Sequence, residues 1–243
     1  MPRDWDATAY DRLSEPQLRW GRAVIGRLRL AGNERVLDAG CGTGRVTEAL
    51  RDLLPSGRVI PLDGSVAMIG RARQRLGEER MAYVAADLME ALPLAECVDA
   101  IVSTATFHWI PDHDRLFRNL ARVLRSGGQL EARCGGAGNV AELTAVVRTL
   151  GHDIDWGKVY AGPEETRARL RSVGFTDVRC WLTEEPTPIP PGDFEAFLAT
   201  VCLGGILLEV PERDRDGFVR AVAAGLPDSS LRYVRLNISA RRA

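Results

Sequence analysis

The sequence predicts an α/β protein: one seven-stranded, mostly parallel sheet with helices on both faces. Three features predict it. Short apolar runs alternate with amphipathic helical stretches from residue 36 to residue 134, the strand–helix rhythm of a parallel sheet. A glycine-rich turn closes the first of those strands. A further helical stretch, residues 186–228, separates the last two strands. At 243 residues the chain has the length of a single domain, 1–243, with a modest insertion.

Residues 15–30 alternate apolar and Arg positions at helical period. The first strand then runs into Val36-Leu37-Asp38-Ala39-Gly40-Cys41-Gly42-Thr43-Gly44, and residues 45–54 read as the helix that follows. Strands are expected over residues 58–63, 81–86, 99–103, 129–134 and 176–183. Helices are expected over residues 141–150 and 163–173, the latter ended by Gly174 as its left-handed terminator. Asp112 and His113 are expected to cap a helix beginning near Asp114. The proline-rich run 185–191 reads as a boundary. Helices over 194–208 and 212–225 and a closing strand follow it.

Glycines at 40, 42 and 44 let the backbone take left-handed dihedrals and let a ligand approach the main chain. Such a turn, at the carboxyl end of a first strand, is where open α/β sheets bind small molecules. A phosphate-binding P-loop would need four residues between its glycines and then Lys-Ser or Lys-Thr, which this turn lacks. The dinucleotide pattern G-x-G-x-x-G is closer, but the glycines here run G-x-G-x-G. Asp38, placed just before the turn, weakens the attraction for a pyrophosphate. It favours a ligand bearing an ammonium and a sulfonium, and S-adenosylmethionine carries both.

The other strand ends fit an adenosine. Asp63 ends the second strand about 20 residues past the glycines, the position of a ribose-binding acid, and Gly64 follows it. Met68 is placed to pack on the adenine face. Asp87 and the amide of Leu88 follow the third strand and can read adenine's amino group and ring nitrogens. Thr104 follows the fourth strand and leads into Ala105-Thr106-Phe107-His108-Trp109. Each residue alone has a plainer reading: Asp63 as a cap for the helix opening at Ser65, Asp87 as an ordinary loop acid. Their order along one rim is what points to a site.

On these residues the chain resembles a Rossmann-like (class I) S-adenosylmethionine-dependent methyltransferase, from Trp5 to Arg241. Within that class it is similar to the trans-aconitate methyltransferase group. The narrower likeness lies in Trp5-Asp6-Ala7-Thr8-Ala9-Tyr10, in Phe107-His108-Trp109-Ile110-Pro111-Asp112-His113, and in the closing stretch from Tyr233 to Arg242. The resemblance implies a Rossmann-like sheet with an antiparallel last strand and a C-terminal helical cap insertion. It also implies N-terminal lid helices over 1–30, with Tyr10 and Trp20 closing over the cofactor. One departure stands out. Members of that group carry an Arg in the helical insertion suited to a substrate carboxylate. Here the corresponding stretch, residues 200–208, holds no basic residue, which turns the expectation toward a partly apolar acceptor.

Methyl transfer from a sulfonium is an in-line displacement in which alignment and exclusion of water dominate. A carboxylate acceptor is already ionised at neutral pH and needs no base. A phenol, amine or carbon acceptor on a natural-product scaffold needs one, and His108 is then the candidate general base. Its alternative role is positioning through hydrogen bonds. Trp109 and Phe107 wall an acceptor pocket or anchor the loop in the core. Arg133, ending the fifth strand, faces an acceptor carboxylate or makes a structural ion pair. Two further readings are a non-catalytic cofactor-binding subunit and an NAD-dependent dehydrogenase.

A formal net charge of −1 without basic runs argues against nucleic acid as partner. The longest apolar run, residues 197–208, is broken by glycines and too short to span a bilayer. Five cysteines without C-x-x-C pairing fit reduced thiols in the cytoplasm. Three histidines, none at ligand spacing from cysteine or carboxylate, give no reason to expect a metal. The partner expected is a small-molecule methyl acceptor, with neither membrane nor nucleic acid involved.

Overall fold

The computed structural model describes residues 15–152 and 157–243. Its sheet has seven strands: β1 (Arg35–Ala39), β2 (Arg58–Asp63), β3 (Val84–Ala85), β4 (Val98–Thr104), β5 (Leu124–Gly135), β6 (Phe175–Pro188) and β7 (Ser230–Arg242). The order is β3-β2-β1-β4-β5-β7-β6. The five strands from β3 across to β5 pair in parallel, and β7 pairs antiparallel with both β5 and β6. The antiparallel last strand is therefore inserted between its predecessors.

Eight helices accompany the sheet among the described residues: α1 (Glu15–Ile25), α2 (Arg45–Asp52), α3 (Val66–Leu76), α4 (His113–Val123), α5 (Ala141–Thr149), α6 (Pro163–Ser172), α7 (Phe194–Phe197) and α8 (Arg215–Gly225). Successive strand residues point to opposite faces, and here both faces are covered. Leu37, Ile60 and Ile101 enter one core with Phe107, Phe117 and Leu120. Their neighbours Val36, Val59 and Ala100 enter another with Val24 of α1 and Leu50 of α2. That two-sided burial is why the first strands read as continuous apolar runs. Helix α1 lies close to α2, because a Cβ on Gly21 would run into Val46. Within the span 1–30, residues 15–25 thus form a sheet-packing helix.

A third apolar cluster sits beyond the sheet. Leu143 of α5, Phe194 and Phe197 of α7, Leu203, Ile206, Val222 of α8 and Leu231 at the start of β7 form it.

The structure departs from the sequence reading in four places. Strand β3 is only two residues long, with Met81 making an isolated bridge to Val59. Strand β5 begins at Leu124 and runs through Gly127-Gly128 instead of starting at 129. Strand β6 continues to Pro188, so the proline run is not a clean boundary. Pro186 pairs with Arg232 and Pro188 with Ser230. Prolines are tolerated there because β6 is the edge strand, whose outer side needs no donor. The expected helix over 194–208 is broken: after α7 come a π-type turn closed by Leu203 N–H to Leu198 C=O at 2.8 Å, Gly204-Gly205, and a short 3₁₀ turn at Ile206–Leu208. Two consecutive glycines are poor helix formers.

The helix ends follow ordinary capping chemistry. Asp112 caps α4, its Oδ1 accepting from Arg115 N–H at 2.9 Å. His113 does not cap; it is the first helical residue, and its Nε2 lies 2.9 Å from the carbonyl of Phe107. Gly174 follows α6 with φ +87° and donates to Arg171 C=O at 3.1 Å.

Candidate active site

The carboxyl ends of β1, β2, β3, β4 and β5 lie side by side, since Ala39 registers with Leu62, Leu62 with Val84, and Thr104 with Arg133. Asp38, the glycine turn, Asp63, Gly64, Asp87, Leu88 and Thr104 share this rim. Tyr10 falls outside the described residues.

The turn after β1 is held by the neighbouring strand. The N–H groups of Gly40 and Cys41 both donate to Leu62 C=O, at 2.7 and 3.0 Å. Gly40, Gly42 and Gly44 all have positive φ, +84°, +54° and +84°, which explains three glycines in five positions. They serve different ends. A Cβ on Gly40 would collide with Thr106, whose hydroxyl donates to Gly40 C=O at 3.2 Å. A Cβ on Gly44 would press on Leu76 and Ala72 of α3. A Cβ on Gly42 would meet nothing within 4 Å, so that residue faces open space at the mouth of the turn.

Two carboxylates flank this space. Asp38 is 1 % exposed; one oxygen accepts from Thr47 Oγ1 at 2.7 Å, and Oδ1 has no partner among the described residues. Burial raises its carboxyl to about 6, the Asp63 charge adding to the rise against the Thr47 hydrogen bond. Asp63 accepts from Gly42 N–H and from Ser65 N–H, both at 2.9 Å. Burial raises its pKa too, opposed by those two bonds. Asp63 therefore ties β2 to the glycine turn, and Ser65 itself caps α3 by accepting from Met68 N–H at 3.3 Å. Met68 is buried in the first turn of α3, and Cys41 is buried in the glycine turn. Gly64 and Asp87 are exposed, Asp87 Oδ1 accepting from Met89 N–H at 2.9 Å. Leu88 is buried.

An orphaned buried carboxylate oxygen beside an open glycine cradle fits a cationic ligand approaching the main chain. The fit extends to S-adenosylmethionine as a whole. Asp38 could hold its ammonium, Gly42 could admit its amino-acid portion, and Asp63 keeps acceptor capacity for ribose hydroxyls.

Beyond Thr104 the chain is held in an uncommon conformation. Ala105 has φ +56° and donates its N–H to Arg133 C=O at 2.7 Å. Positive φ in a residue with a Cβ is costly and persists where surroundings impose it. It delivers Thr106 to Gly40 and begins the turn carrying His108 and Trp109. His108 is 7 % exposed, and its Nδ1 accepts from Gly135 N–H at 3.3 Å. The ring stacks near Tyr160, centroids 6.0 Å apart, and lies 5.4 Å from the ring of Trp109. Lys158 Nζ stands 4.2 Å over the Trp109 ring. Burial lowers the His108 pKa well below the ordinary histidine range, and the charges of Lys158, Arg235 and His113 lower it further. His108 is thus neutral at pH 7, with its proton on Nε2. Phe107 is wholly buried in the core, so its anchoring role is the one realised.

Arg133, expected to face an acceptor, is ion-paired with Glu185 of β6 and is buried. The geometry realises its structural alternative. The sequence reading assigned no site role to Thr47, Thr106, Tyr160 or Arg235, although all four belong to the surroundings just described. Only Arg235, as a cation in the closing stretch, left a sequence signal. Trp20 is buried beneath it, the Arg235 guanidinium carbon lying 3.6 Å from the indole centroid. A separate basic groove of about 740 Å³, with Arg27, Arg171, Arg179 and Arg241 on its walls, contains none of the rim residues. Among the described residues no cluster of His, Cys, Asp and Glu could hold a metal ion, and no helix is long and apolar enough to cross a membrane.

A glycine turn between two strand-end carboxylates, on a sheet with an antiparallel seventh strand, defines a Rossmann-like S-adenosylmethionine-dependent methyltransferase. Comparison with known proteins agrees. A methyltransferase-domain family model matches residues 37–132. The malonyl-[acyl-carrier protein] O-methyltransferase of Geobacter sulfurreducens is 34 % identical over 203 residues, spanning 80 % of this chain and 75 % of the relative. The trans-aconitate 2-methyltransferase of Variovorax paradoxus is 30 % identical over 172 residues, spanning 70 % of this chain and 65 % of the relative. Among solved structures, phosphoethanolamine N-methyltransferase 2 of Haemonchus contortus, in complex with S-adenosylhomocysteine, superposes with a TM-score of 0.68 at 18 % identity, covering 98 % of this chain and 57 % of that one. The chain belongs to the class I S-adenosylmethionine-dependent methyltransferases.

Proposed function

We propose that this methyltransferase transfers the methyl group to a carboxylate oxygen of a small, partly apolar acid. The observation that carries this reading is the state of His108. Its Nδ1 is occupied by the Gly135 N–H, and burial beside the cations Lys158 and Arg235 keeps its ring neutral. Such a ring offers a hydrogen-bond donor at Nε2 and is a poor proton acceptor, so it orients an acceptor without deprotonating it. A carboxylate, ionised at neutral pH, needs nothing more.

When bound, S-adenosylmethionine supplies a methyl group already activated by the sulfonium. The chain's own residues then bind and align. Asp38 would hold the ammonium, Gly40, Cys41 and Gly42 would hold the amino-acid portion, and Asp63 with Gly64 would receive the ribose. Met68, Asp87 and Leu88 would take the adenine, with Thr104 at the same rim. The apolar cluster around Phe194, Phe197, Leu203 and Ile206 serves as a cap over the acceptor's apolar part within one domain. Both curated relatives act on acids by their names, which supports the reading. The five cysteines are all free, which supports a cytoplasmic setting.

The test is a screen of small carboxylic acids, phenols and amines with isotope-labelled methyl donor. A base-labile labelled product, the signature of a methyl ester, is expected from acids. Label appearing only in base-stable products of phenols or amines would overturn the assignment.

A further inference from the structure

We propose that Arg235 receives the carboxylate of the methyl acceptor, its guanidinium packed against Trp20 and Tyr233. The inference rests on the methyl-transfer reading above and names the group that confers its acid specificity.

Arg235 lies on β7, in register with Gly135 of β5 and Thr183 of β6. It is 5 % exposed. Its guanidinium carbon stands 3.6 Å from the Trp20 ring centroid and 4.5 Å from that of Tyr233. The two ring centroids lie 5.5 Å apart with their planes at 70°, so the rings flank the guanidinium on adjacent sides; they give cation–π stabilisation but accept none of its N–H bonds. Among the described residues its Nε has no acceptor and no carboxylate lies within ion-pair distance. A buried guanidinium is ordinarily matched by an acid with hydrogen bonds.

The acids nearby are already engaged. On this face of the sheet Glu131 is held by Arg27 Nε at 2.7 Å and by Ser239 Oγ at 2.7 Å. Glu185 is paired with Arg133. Along the polar layer the pairs Glu131–Arg27 and Arg133–Glu185 balance, the exposed Arg179 donates to Ser239 Oγ at 3.4 Å, and Arg235 is a buried cation with no acid partner among the described residues. Burial draws its pKa down to about 10, with Arg133 adding repulsion, so it is still a cation at neutral pH.

Its position is that of an acceptor contact. The residue opposite it, Gly135, is the donor to His108 Nδ1. Gly135 has no side chain because a Cβ there would stand 2.7 Å from Tyr160 Cε1. Arg235, His108 and Tyr160 therefore converge around one backbone amide at the end of β5. An excess cation beside a neutral imidazole donor is a receptor for a planar oxyanion, and the fork of an arginine matches a carboxylate edge-on.

The test uses the full chain loaded with S-adenosylhomocysteine, and three probes, adipate, octanoate and trans-aconitate, each against its uncharged amide. Acids should raise the melting temperature of the wild type where amides do not. Arg235→Met keeps length and contact with the rings and removes the charge. It should weaken acid binding at least tenfold, leave S-adenosylhomocysteine affinity within twofold, and leave the unliganded protein as stable as the wild type or more so. Arg235→Lys, a point charge without the fork, should restore part of the acid preference. If Arg235→Met does not fold, the loss of part of the acid preference in Arg235→Lys decides in its place. Equal response of the wild type to acids and amides, or acid preference intact in the variants, would overturn the proposal. Acid binding that depends on Arg235 without formation of any methyl ester would instead sink the O-methylation reading and leave this one standing.

Discussion

The backbone N–H of Gly135 donates to His108 Nδ1 at 3.3 Å, and this contact fixes the ring as an Nε2–H tautomer. The pH dependence follows. On an acid substrate, kcat/KM should show no ionisation of His108 between pH 6 and 9, and His108→Asn, which can both accept and donate, should keep activity within about tenfold. His108→Ala should lose more. A limb near pH 6–7 that disappears in His108→Asn would restore the general-base role. Stability has its own sign. The folded pKa lies below the unfolded value of about 6.5, so the unfolded chain binds the proton more readily. The contribution is present above 6.5 and is lost as pH falls through the lowered folded value, and His113 acts in the same sense. Urea unfolding of His108→Asn should show a shallower loss of stability below pH 6.5.

Asp38 should couple cofactor binding to pH in the opposite sense. Its folded pKa, about 6, lies above the unfolded value, so its contribution to stability is fully present below about pH 4 and is lost as pH rises through 6. Asp38→Asn should therefore stabilise the unliganded protein at pH 8 by on the order of 1–3 kcal/mol, the gain fading toward pH 4. The same variant should abolish S-adenosylhomocysteine binding by calorimetry. In the wild type, affinity should fall up to about tenfold per pH unit below 6 as the carboxylate protonates. Unchanged affinity in the variant would remove Asp38 from the site.

The glycines of the turn should separate folding from binding. Gly40→Ala forces a side chain into Thr106 at φ +84° and should lower stability by several kcal/mol. Gly42→Ala, at φ +54° with open space ahead, should cost only about 1–2 kcal/mol. Its methyl group enters the space assigned to the cofactor, so it should weaken S-adenosylhomocysteine binding at least tenfold, and Gly42→Val more. Full affinity in Gly42→Val would mean that the ligand does not approach this residue.

What the sequence revealed and what it hid divide along physical lines. Asp38, Gly42 and Asp63 were legible because a parallel strand, a positive-φ turn and a strand-end acid each leave a local mark. Strand β6 running on through Pro186 and Pro188 was not, because prolines read as breakers until the strand is known to be an edge. For Arg133 the choice between an acceptor contact and a structural ion pair stayed open, because its partner, Glu185, lies 52 residues away and meets it only through β7. Arg235 gained a role only once β7 was seen to lie between β5 and β6, which brings it beside His108's amide partner. Long-range pairing is the part of a fold that local pattern does not encode.

The Arg133–Glu185 pair offers the last test. Both side chains are largely buried, Arg133 Nε and Glu185 Oε2 have no other partner among the described residues, and the pair links β5 to β6 across β7. Glu185→Gln leaves the guanidinium with a weak acceptor and should cost roughly 2–4 kcal/mol in urea unfolding. The double variant Arg133→Met with Glu185→Leu removes both desolvated charges together and should come within about 1 kcal/mol of the wild type. Because the pair is internal, the double variant should also keep its KM for an acid acceptor within about tenfold, whereas Arg235→Met should not. A KM raised much further in the double variant, with S-adenosylhomocysteine affinity unchanged, would return Arg133 to the acceptor site and make Glu185 its regulator.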